Sequence, residues 1–342
     1  MTRLYVAMQD RMAVVTGRDG QWHVDFRLLG TALTCVATDP LRPGAVYCGS
    51  FGEGLWRSAD GGTSWQPSGE GIASAQVTSV AVGVAERAGE PAIVWAGTEP
   101  SAIYRSEDSG DSWVEPAVLT ELPSSRSWSF PPRPYTHHTR WITPDVNPPG
   151  LTGLILVSIE AGGVLRGTDG GRSWDDRKPG GPYDAHTMRT HRLAPGGVYV
   201  AAGDGYAESR DGGLTWEWPM AGLRHRYVWS VAADPGDPEV VIISAARGPR
   251  EAHDPGSAAS AVYRRVGGEE MWSEISIGLP EGKGTIVPEL AANLSEPGVF
   301  YLASNRGVFR SLDAGLTWRR LDIPWPEEFR HQHVQGLAVC EE

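Results

Sequence analysis

The sequence predicts an all-β protein, a seven-bladed β-propeller of four-stranded antiparallel blades that forms a single domain over residues 1–342. Three observations support this prediction. The 43 glycines, 26 prolines and 14 tryptophans indicate many short strands joined by tight turns and anchored by large aromatic side chains. One short motif recurs at intervals that fit one blade each. A strand pattern at the C-terminal end can complete the N-terminal blade and close the ring, which removes an exposed sheet edge.

The recurring motif has the pattern S-x-D-x-G-x-[ST]-W. Five copies occupy residues 58–65, 106–113, 167–174, 209–216 and 311–318, with glycine in place of the first serine in the third copy. Two degenerate copies end at Trp22 and Trp272. The seven tryptophans predicted to mark the blade ends are Trp22, Trp65, Trp113, Trp174, Trp216, Trp272 and Trp318. They follow one another at intervals of about 40 to 60 residues, which accommodates four short strands and their turns.

The strands of each blade can be placed around this motif. Runs of β-type residues such as 45–49 and 54–58 precede the first complete copy, so the motif is predicted to be the hairpin between the third and fourth strands. The predicted inner strands include residues 33–39, 77–82, 138–143 and 227–233. The first blade has no such run, because 4–8 and 12–16 resemble its second and third strands. Residues 334–339 have the inner-strand pattern and are expected to supply the missing strand.

Composition and charge exclude several classes of function. A formal net charge of -12 and a pI near 5.3 disfavour sequence-independent binding to nucleic acid, which requires a surplus of Lys and Arg. The pattern of a secretory signal is missing, and no run of 18 apolar residues suggests a membrane span. The three cysteines lack metal-ligand spacing. We therefore expect a cytoplasmic protein that binds neither nucleic acid nor membrane.

The chemistry of the motif is interpreted as local and structural. An aspartate carboxylate can accept backbone N–H groups across the turn, glycine permits a positive φ, and the tryptophan covers the hairpin. The motif aspartates are expected to stabilise the turn rather than to catalyse a reaction; they are Asp60, Asp108, Asp169, Asp211 and Asp313.

These motifs resemble the BNR or Asp-box repeats of sialidase-like propellers, and the resemblance covers nearly the whole chain. The family includes sialidases, xyloglucan-degrading glycosidases, sortilin-type receptors and photosystem II assembly factors, so the resemblance implies a fold rather than one activity. Sialidases begin an arginine triad with an F/Y-R-I-P motif that this sequence lacks; the nearest string is F-P-P-R-P at 130–134. The chain is most similar to bacterial cytoplasmic BNR-repeat proteins described as glycosyl-hydrolase-like, and it is not expected to be a true sialidase.

A functional site is expected at one mouth of the central channel. In a four-stranded meander, the connections between blades and those between second and third strands share one face, and the motif hairpins lie on the other. Seven of the nine histidines fall in segments assigned to the first face, namely His137, His138, His186, His225, His253, His331 and His333. A cationic rim is predicted on the same face from Arg133, Arg224, Arg226, Arg250, Lys283 and Arg330. Such a rim would attract an anionic small molecule, and the long connections 115–136 and 247–260 can shape the site.

Alignment of the inner strands by apolar pattern places His138 and His186 at equivalent positions of neighbouring blades, where other blades have residues such as Val77. Three interpretations remain open. The two imidazoles are hydrogen-bonded channel residues without a ligand, ligands of a divalent metal ion together with His333 or His253, or groups for acid–base catalysis or anion binding.

Further candidates lie beside these histidines. Arg140 and Glu289 share a column of the alignment, so Glu289 is either a general base or one half of an ion pair with Arg140. Tyr227 and Trp229 can stack on a sugar or aromatic ring, or pack between blades. The candidates for ligand binding are therefore Arg140, Tyr227, Trp229 and His137, which precedes His138.

Two functional hypotheses follow. The first is an enzyme, a hydrolase or lyase for an anionic or carbohydrate-like small molecule, with Glu289, His186 and His138 as catalytic candidates and metal dependence as one variant. The second is a binding or assembly platform without catalytic activity, with a protein partner. The first predicts a polar, enclosed pocket at the channel mouth, and the second predicts an exposed apolar or charged patch.

Overall fold

The structure is a computed structural model that describes residues 1–83, 91–145, 153–267, 269 and 271–341. Its strands form seven antiparallel sheets, which confirms the predicted propeller. The strands of blades 1 and 2 are β1 (Thr2–Ala7), β2 (Met12–Arg18), β3 (Gln21–Arg27), β4 (Leu33–Asp39), β5 (Arg42–Ser50), β6 (Leu55–Ser58) and β7 (Gln66–Pro67). Those of blades 3, 4 and 5 are β8 (Val77–Val82), β9 (Val94–Thr98), β10 (Ile103–Ser106), β11 (Thr139–Pro144), β12 (Ile155–Ile159), β13 (Gly163–Gly167), β14 (Ala185–His191), β15 (Ala194–Ala202) and β16 (Gly205–Ser209).

Blades 6 and 7 and the closing strand complete the ring. Their strands are β17 (Tyr227–Asp234), β18 (Asp237–Ala246), β19 (Ser260–Arg265), β20 (Ser273–Ile275), β21 (Glu289–Ala292), β22 (Phe300–Ser304), β23 (Gly307–Ser311), β24 (Arg319–Arg320) and β25 (Gly336–Glu341). Helical structure among the described residues is limited to α1 (Pro249–His253) and three 3₁₀ turns at Leu119–Glu121, Pro123–Ser127 and Glu327–His331. None of these helices could cross a lipid bilayer.

The C-terminal strand closes the ring as predicted. β25 pairs antiparallel with β1, from Thr2 opposite Glu341 to Ala7 opposite Gly336, and blade 1 therefore has the order β25-β1-β2-β3. The inner strands β25, β4, β8, β11, β14, β17 and β21 each contact the next around the channel. The predicted closing segment, 334–339, begins two residues too early because β25 begins at Gly336.

Blades 3, 4 and 5 correct the prediction of four strands in every blade. Each has three assigned strands, and the expected fourth is reduced to one bridge, Arg105 with Val114, Arg166 with Asp175, and Glu208 with Glu217. In blades 3 and 5 a proline, Pro116 or Pro219, follows the bridge by two residues. Because proline has no N–H to donate, the outer ladder ends there.

The hydrophobic cores lie between neighbouring blades. One cluster joins Tyr5 of blade 1 to Val46 of blade 2, and another joins Leu4 of blade 1 to Tyr301 of blade 7. Arginine side chains add polar contacts across these interfaces by donating to a backbone carbonyl in the motif of the next blade. These bonds are Arg3 to Gly61 at 3.1 Å, Arg57 to Ser109 at 2.6 Å, Arg166 to Gly212 at 2.9 Å and Arg264 to Ala314 at 2.7 Å.

The motif aspartates lie in the turns that lead out of the third strands. Asp211 accepts hydrogen bonds from the backbone N–H groups of Leu214 and Thr215 and from the hydroxyl groups of Ser209 and Thr215, at 2.6 to 3.0 Å. The glycine of each copy has a positive φ, for example 85° at Gly213. The motif aspartates therefore serve as hydrogen-bond acceptors that hold these turns.

A β-bulge recurs at the start of five inner strands. The ladder skips one residue in each of β4, β8, β11, β14 and β17, and the skipped residues are Thr34, Thr78, Arg140, His186 and Trp229. We call these five residues the bulge ring. Thr78 donates to the carbonyl of Thr139 at 2.8 Å, and His186 Nδ1 lies 2.8 Å from the carbonyl oxygen of Val228. Members of the bulge ring thus bond one blade to the next around the channel.

Candidate functional site

A cavity of about 630 Å³ opens at the predicted mouth of the channel. Four of the five bulge-ring residues line it, all except His186. The rest of its wall comes from connections on the same face, including Phe51, Glu99, Glu160 and the segment 130–133. A smaller cavity of about 280 Å³ occupies the other end of the channel, where the walls are mostly the apolar parts of the inner strands. The polar and titratable side chains that could perform chemistry are concentrated at the mouth.

His138, Glu160 and Arg140 form the first polar cluster of this cavity. His138 Nε2 lies 3.0 Å from Glu160 Oε2, and Arg140 Nε lies 3.6 Å from the same oxygen. Burial opposes ionisation of Glu160, but the hydrogen bond from His138 and the nearby charges hold the pKa of this carboxyl at about 2. Glu160 is therefore an ionised carboxylate that orients the imidazole of His138.

Glu99 and Arg133 form a second ion pair that covers His138. Arg133 donates from Nε to Glu99 Oε1 at 3.0 Å and from Nη2 to the other oxygen, a bidentate geometry. Its guanidinium also lies 4.6 Å from the centre of the Phe130 ring, and that ring packs edge-on against His138 at 4.6 Å. The long connection before blade 4 thus brings residues 130–133 over the first cluster.

His186 and Asp184 lie at the beginning of the inner strand of blade 5. His186 is fully buried, and its ring lies 4.9 Å from Tyr227 and 4.6 Å from Trp229. Its Nε2 atom lies 3.6 Å from Asp184 Oδ2, beyond hydrogen-bond distance, and has no hydrogen-bond partner among the described residues.

Trp229 is the centre of an aromatic cluster in the cavity wall. The guanidinium of Arg140 lies 4.6 Å from its ring centre, His253 contacts it at 4.4 Å and His333 at 5.1 Å. Burial, together with the charges of neighbouring groups, lowers the pKa of His253 to about 2, and burial lowers the pKa of His333 to about 4. Both imidazoles are therefore neutral near pH 7. Tyr227 joins the cluster because its hydroxyl lies 3.0 Å from His253 Nε2.

The structure corrects the predicted pairing of Glu289 with Arg140. Glu289 is 2% exposed and does not line the cavity; its Oε1 accepts a hydrogen bond from Trp229 Nε1 at 2.7 Å. Burial raises the pKa of this carboxyl. Arg140 instead lies beside Glu160, because the bulge in β11 changes the position of its side chain relative to the alignment.

The predicted equivalence of His138 and His186 is also wrong. Counted from the bulges, His186 is equivalent to Arg140, and His138 is equivalent to Asp184 and Tyr227. A shift of two residues preserves the alternation of a strand, so the apolar pattern fits both alignments equally well. The two histidines nevertheless lie near the same carboxylate, since His138 Nε2 is 3.0 Å from Glu160 Oε2 and a ring nitrogen of His186 lies within 4.8 Å of a Glu160 oxygen.

The remaining predicted residues fall into two groups. His137 lies outside the lining of the cavity, where it accepts a hydrogen bond from the Ser101 N–H at 3.3 Å and packs against Trp128. Most of the predicted cationic rim is paired with local carboxylates, as in Arg133 with Glu99, Arg224 with Glu274, Arg250 with Asp254 and Arg330 with Glu327. The rim is therefore not a uniform cationic patch, and Arg140 is the arginine held deepest in the cavity wall.

Sequence reasoning missed the carboxylates of the site. Glu99 and Glu160 directly follow the second strands of blades 3 and 4, and Asp184 directly precedes the inner strand of blade 5. The sequence carries a signal for them, because these connections lie on the same predicted face as the histidines.

One group of side chains in the described part of the chain brings together potential ligand atoms for a metal ion. It consists of Glu160, Asp184 and His186, with one potential ligand atom from each residue within 4.8 Å of the others. Of the predicted metal ligands, only His186 belongs to this group. His138 bonds to Glu160, whereas His253 and His333 lie 4.9 Å apart within the aromatic cluster.

No protein-family model matches the sequence, and no curated protein matches it. Among solved structures, the chain is similar to a GH74 enzyme from Niastella koreensis, with 16% identity, a TM-score of 0.68 and coverage of 93% of this chain and 52% of that one. It is also similar to the GH74 xyloglucanase from Xanthomonas campestris, with 17% identity, a TM-score of 0.67 and coverage of 94% and 52%.

The chain therefore spans about half the length of these GH74 structures. A third similar structure is that of YCF48 bound to a D1 peptide, with 15% identity, a TM-score of 0.61 and coverage of 91% of this chain and 94% of that one. At these identities the comparisons show the β-propeller fold, and the resemblance to BNR repeats remains a statement about the sequence motif.

Proposed function

We propose that this chain is an enzyme, a hydrolase or lyase that acts on an anionic or carbohydrate-like small molecule at the channel mouth. The observation that carries the proposal is the 3.0 Å contact between His138 and Glu160 in the wall of a cavity that also contains Arg140. A carboxylate that orients an imidazole is a common arrangement for proton transfer.

In this proposal His138 transfers protons and Glu160 positions it. The Nε2–H of His138 donates to the ionised Glu160, which leaves the lone pair on Nδ1; this atom is buried, lies 3.9 Å from Glu99 Oε2 and has no hydrogen-bond partner among the described residues. In hydrolysis, Nδ1 takes a proton from water as the water oxygen bonds to the reacting carbon, and returns it to the leaving-group oxygen as the bond between that oxygen and the carbon breaks. In elimination, it takes a proton from the carbon beside an anionic group and returns it to the departing group.

The rest of the cavity supplies recognition. Arg140 is held over the Trp229 ring and can bind a carboxylate or hydroxyl oxygen of the substrate, while the part of Tyr227 that lines the cavity offers apolar surface to a sugar ring. The similarity to GH74 structures is consistent with a carbohydrate-like substrate. Because Glu289 lies behind Trp229, it has a structural role in this proposal.

The experiment is a turnover screen with matched variants. Wild-type protein is incubated with glycosides, uronic-acid glycosides and lactones, and the assays follow the release of reducing ends for hydrolysis and the absorbance of a new double bond for elimination. For a substrate that is turned over, His138→Gln should lower kcat by about 10²- to 10⁴-fold, the usual contribution of acid–base catalysis. Arg140→Met should mainly raise KM. Turnover that is unchanged in His138→Gln would overturn the assignment.

A second candidate is a peptide-binding platform. It is favoured by one feature of the mouth, the apolar surface that Phe51, Phe130 and Pro131 contribute beside the polar clusters. The similar YCF48 structure contains a bound peptide. Capture of an extended peptide by wild-type protein, lost on Phe130→Ser and accompanied by no turnover of any small molecule, would favour this candidate over the enzyme.

A further inference from the structure

We propose that Glu160, Asp184 and His186 bind a divalent transition-metal ion, Zn²⁺ or Mn²⁺, in the wall of the channel-mouth cavity. The inference rests on the proposed function, because Glu160 and Asp184 line the same cavity. One potential ligand atom from each of the three residues lies within 4.8 Å of the others, so a single ion between them could contact all three.

His186 provides the strongest argument. Its side chain is fully buried, and its Nδ1 donates to the carbonyl oxygen of Val228 at 2.8 Å. That hydrogen bond fixes the tautomer and leaves a lone pair on Nε2, the arrangement in which histidine ligands are held by second-shell carbonyl groups. Buried ring nitrogens without a hydrogen-bond partner also occur at His138 and His333, but His186 Nε2 is the one that faces a carboxylate of the three-residue group, at 3.6 Å from Asp184 Oδ2. A metal ion bound to Nε2 would complete its coordination.

Asp184 is positioned to present one oxygen to the same point. Its Oδ1 accepts a hydrogen bond from the Ala161 N–H at 3.2 Å, and its own backbone N–H donates to Asp204 Oδ2 at 3.1 Å. The other oxygen, Oδ2, lies 3.6 Å from His186 Nε2. Gly203 lies so close to Oδ2 that a Cβ atom added to this glycine would be 2.1 Å from the oxygen. The carboxylate is thus held by its surroundings rather than free to turn away.

Glu160 contributes the third ligand. Its Oε2 accepts the hydrogen bond from His138, and a carboxylate has enough lone pairs on its two oxygens to bind a metal ion as well. The two carboxylates carry two negative charges, enough to neutralise a divalent cation despite Arg140, whose guanidinium is held against the Trp229 ring. Two oxygen ligands and one imidazole nitrogen suit Zn²⁺ or Mn²⁺ better than Ca²⁺ or Mg²⁺. Three protein ligands also leave coordination positions open for water or substrate.

The test measures metal binding in the absence of any substrate. Full-length protein without a histidine tag is stripped with a chelator and titrated calorimetrically with MnCl₂ and with ZnCl₂. Wild type should bind one ion per chain. Asp184→Asn should weaken binding at least about tenfold, and Gly203→Ala should also weaken it because the new methyl group displaces Oδ2 while all three ligands remain.

The matched control is His253→Asn, which removes an imidazole of the same cavity that lies outside the three ligands, and it should leave the affinity unchanged. The thermal midpoint of each variant establishes that it is folded. Electron spin echo spectra of the bound Mn²⁺ should show a histidine nitrogen coupling that disappears in His186→Gln.

Two results would overturn the proposal. One is a folded wild type that binds neither ion. The other is binding that persists in Asp184→Asn but is lost in His253→Asn, which would place the ion at the histidines of the aromatic cluster. Since no turnover is measured, failure of the metal site is distinguishable from failure of the proposed function, which depends on His138.

Discussion

Replacing Asp211 with alanine should destabilise the propeller and leave the channel mouth unaffected. The carboxylate accepts four hydrogen bonds, two from backbone N–H groups and two from hydroxyl groups. Loss of a side chain that caps backbone N–H groups in this way costs about 1–2 kcal/mol when the site is exposed to water, as Asp211 is. Asp169 accepts only three such bonds, because glycine replaces the motif serine. The decrease in the free energy of unfolding should therefore be smaller for Asp169→Ala than for Asp211→Ala, by roughly 0.5 kcal/mol.

The assay is urea unfolding followed by tryptophan fluorescence, with the midpoint compared at constant slope. The exposed Asp322 provides the control, since Asp322→Ala removes a carboxylate outside any motif. Partial burial opposes ionisation of Asp211, but its hydrogen bonds outweigh this effect and lower its pKa to about 2. The stabilisation should therefore be present above pH 3.8 and be lost as the pH falls towards 2. The structural role would be refuted if Asp211→Ala had the same urea midpoint as wild type. It would also be refuted if the variant were as stable as wild type but had lost metal binding and turnover.

Two further predictions concern buried groups near the channel. His333 and His253 stay neutral in the folded state, whereas in the unfolded chain they take up protons below a pKa of 6.5, so the free energy of unfolding should be highest above that pH and fall as the pH is lowered towards 4. In urea unfolding, His333→Asn should make the midpoint depend less on pH over this range. A pH dependence equal to that of wild type would contradict the prediction. Glu289→Gln keeps an acceptor for Trp229 but removes a carboxyl group whose pKa is raised in the folded state. Ionisation of Glu289 therefore destabilises folded wild type, and the variant should become more stable than wild type as the pH rises above about 4.5. A relative gain by wild type over that range would show that the charge is stabilised.

The fold could be predicted because its determinants are local and repeated. Each motif combines a positive-φ glycine with an aspartate that satisfies the turn, so its position along the chain indicates a hairpin without knowledge of the rest of the molecule. The inner strand Leu33–Asp39 is observed with the predicted bounds. The outer strands of three blades were overestimated, since whether a ladder continues past its first bridge depends on single residues such as Pro116.

The candidate site could be predicted only as a location. The face and the mouth of the channel follow from the meander topology, and His138, Arg140, Tyr227 and Trp229 all line the cavity found there. The contacts of these residues depend on β-bulges, which an apolar pattern does not reveal. The sequence therefore predicted Arg140 beside Glu289, whereas it lies beside Glu160. The cytoplasmic location remains a prediction.

The bulge ring gives the channel a level at which the chemistry of the side chain differs from blade to blade. The skipped residue of each bulge has no partner in the ladder opposite it, so its identity is not constrained by strand pairing. At this level the chain carries two threonines, an arginine, a histidine and a tryptophan. Engineering at the bulge ring is therefore free of pairing constraints, but replacing Thr34 or Thr78 also removes a hydrogen bond to the carbonyl of Val77 or Thr139 in the next blade.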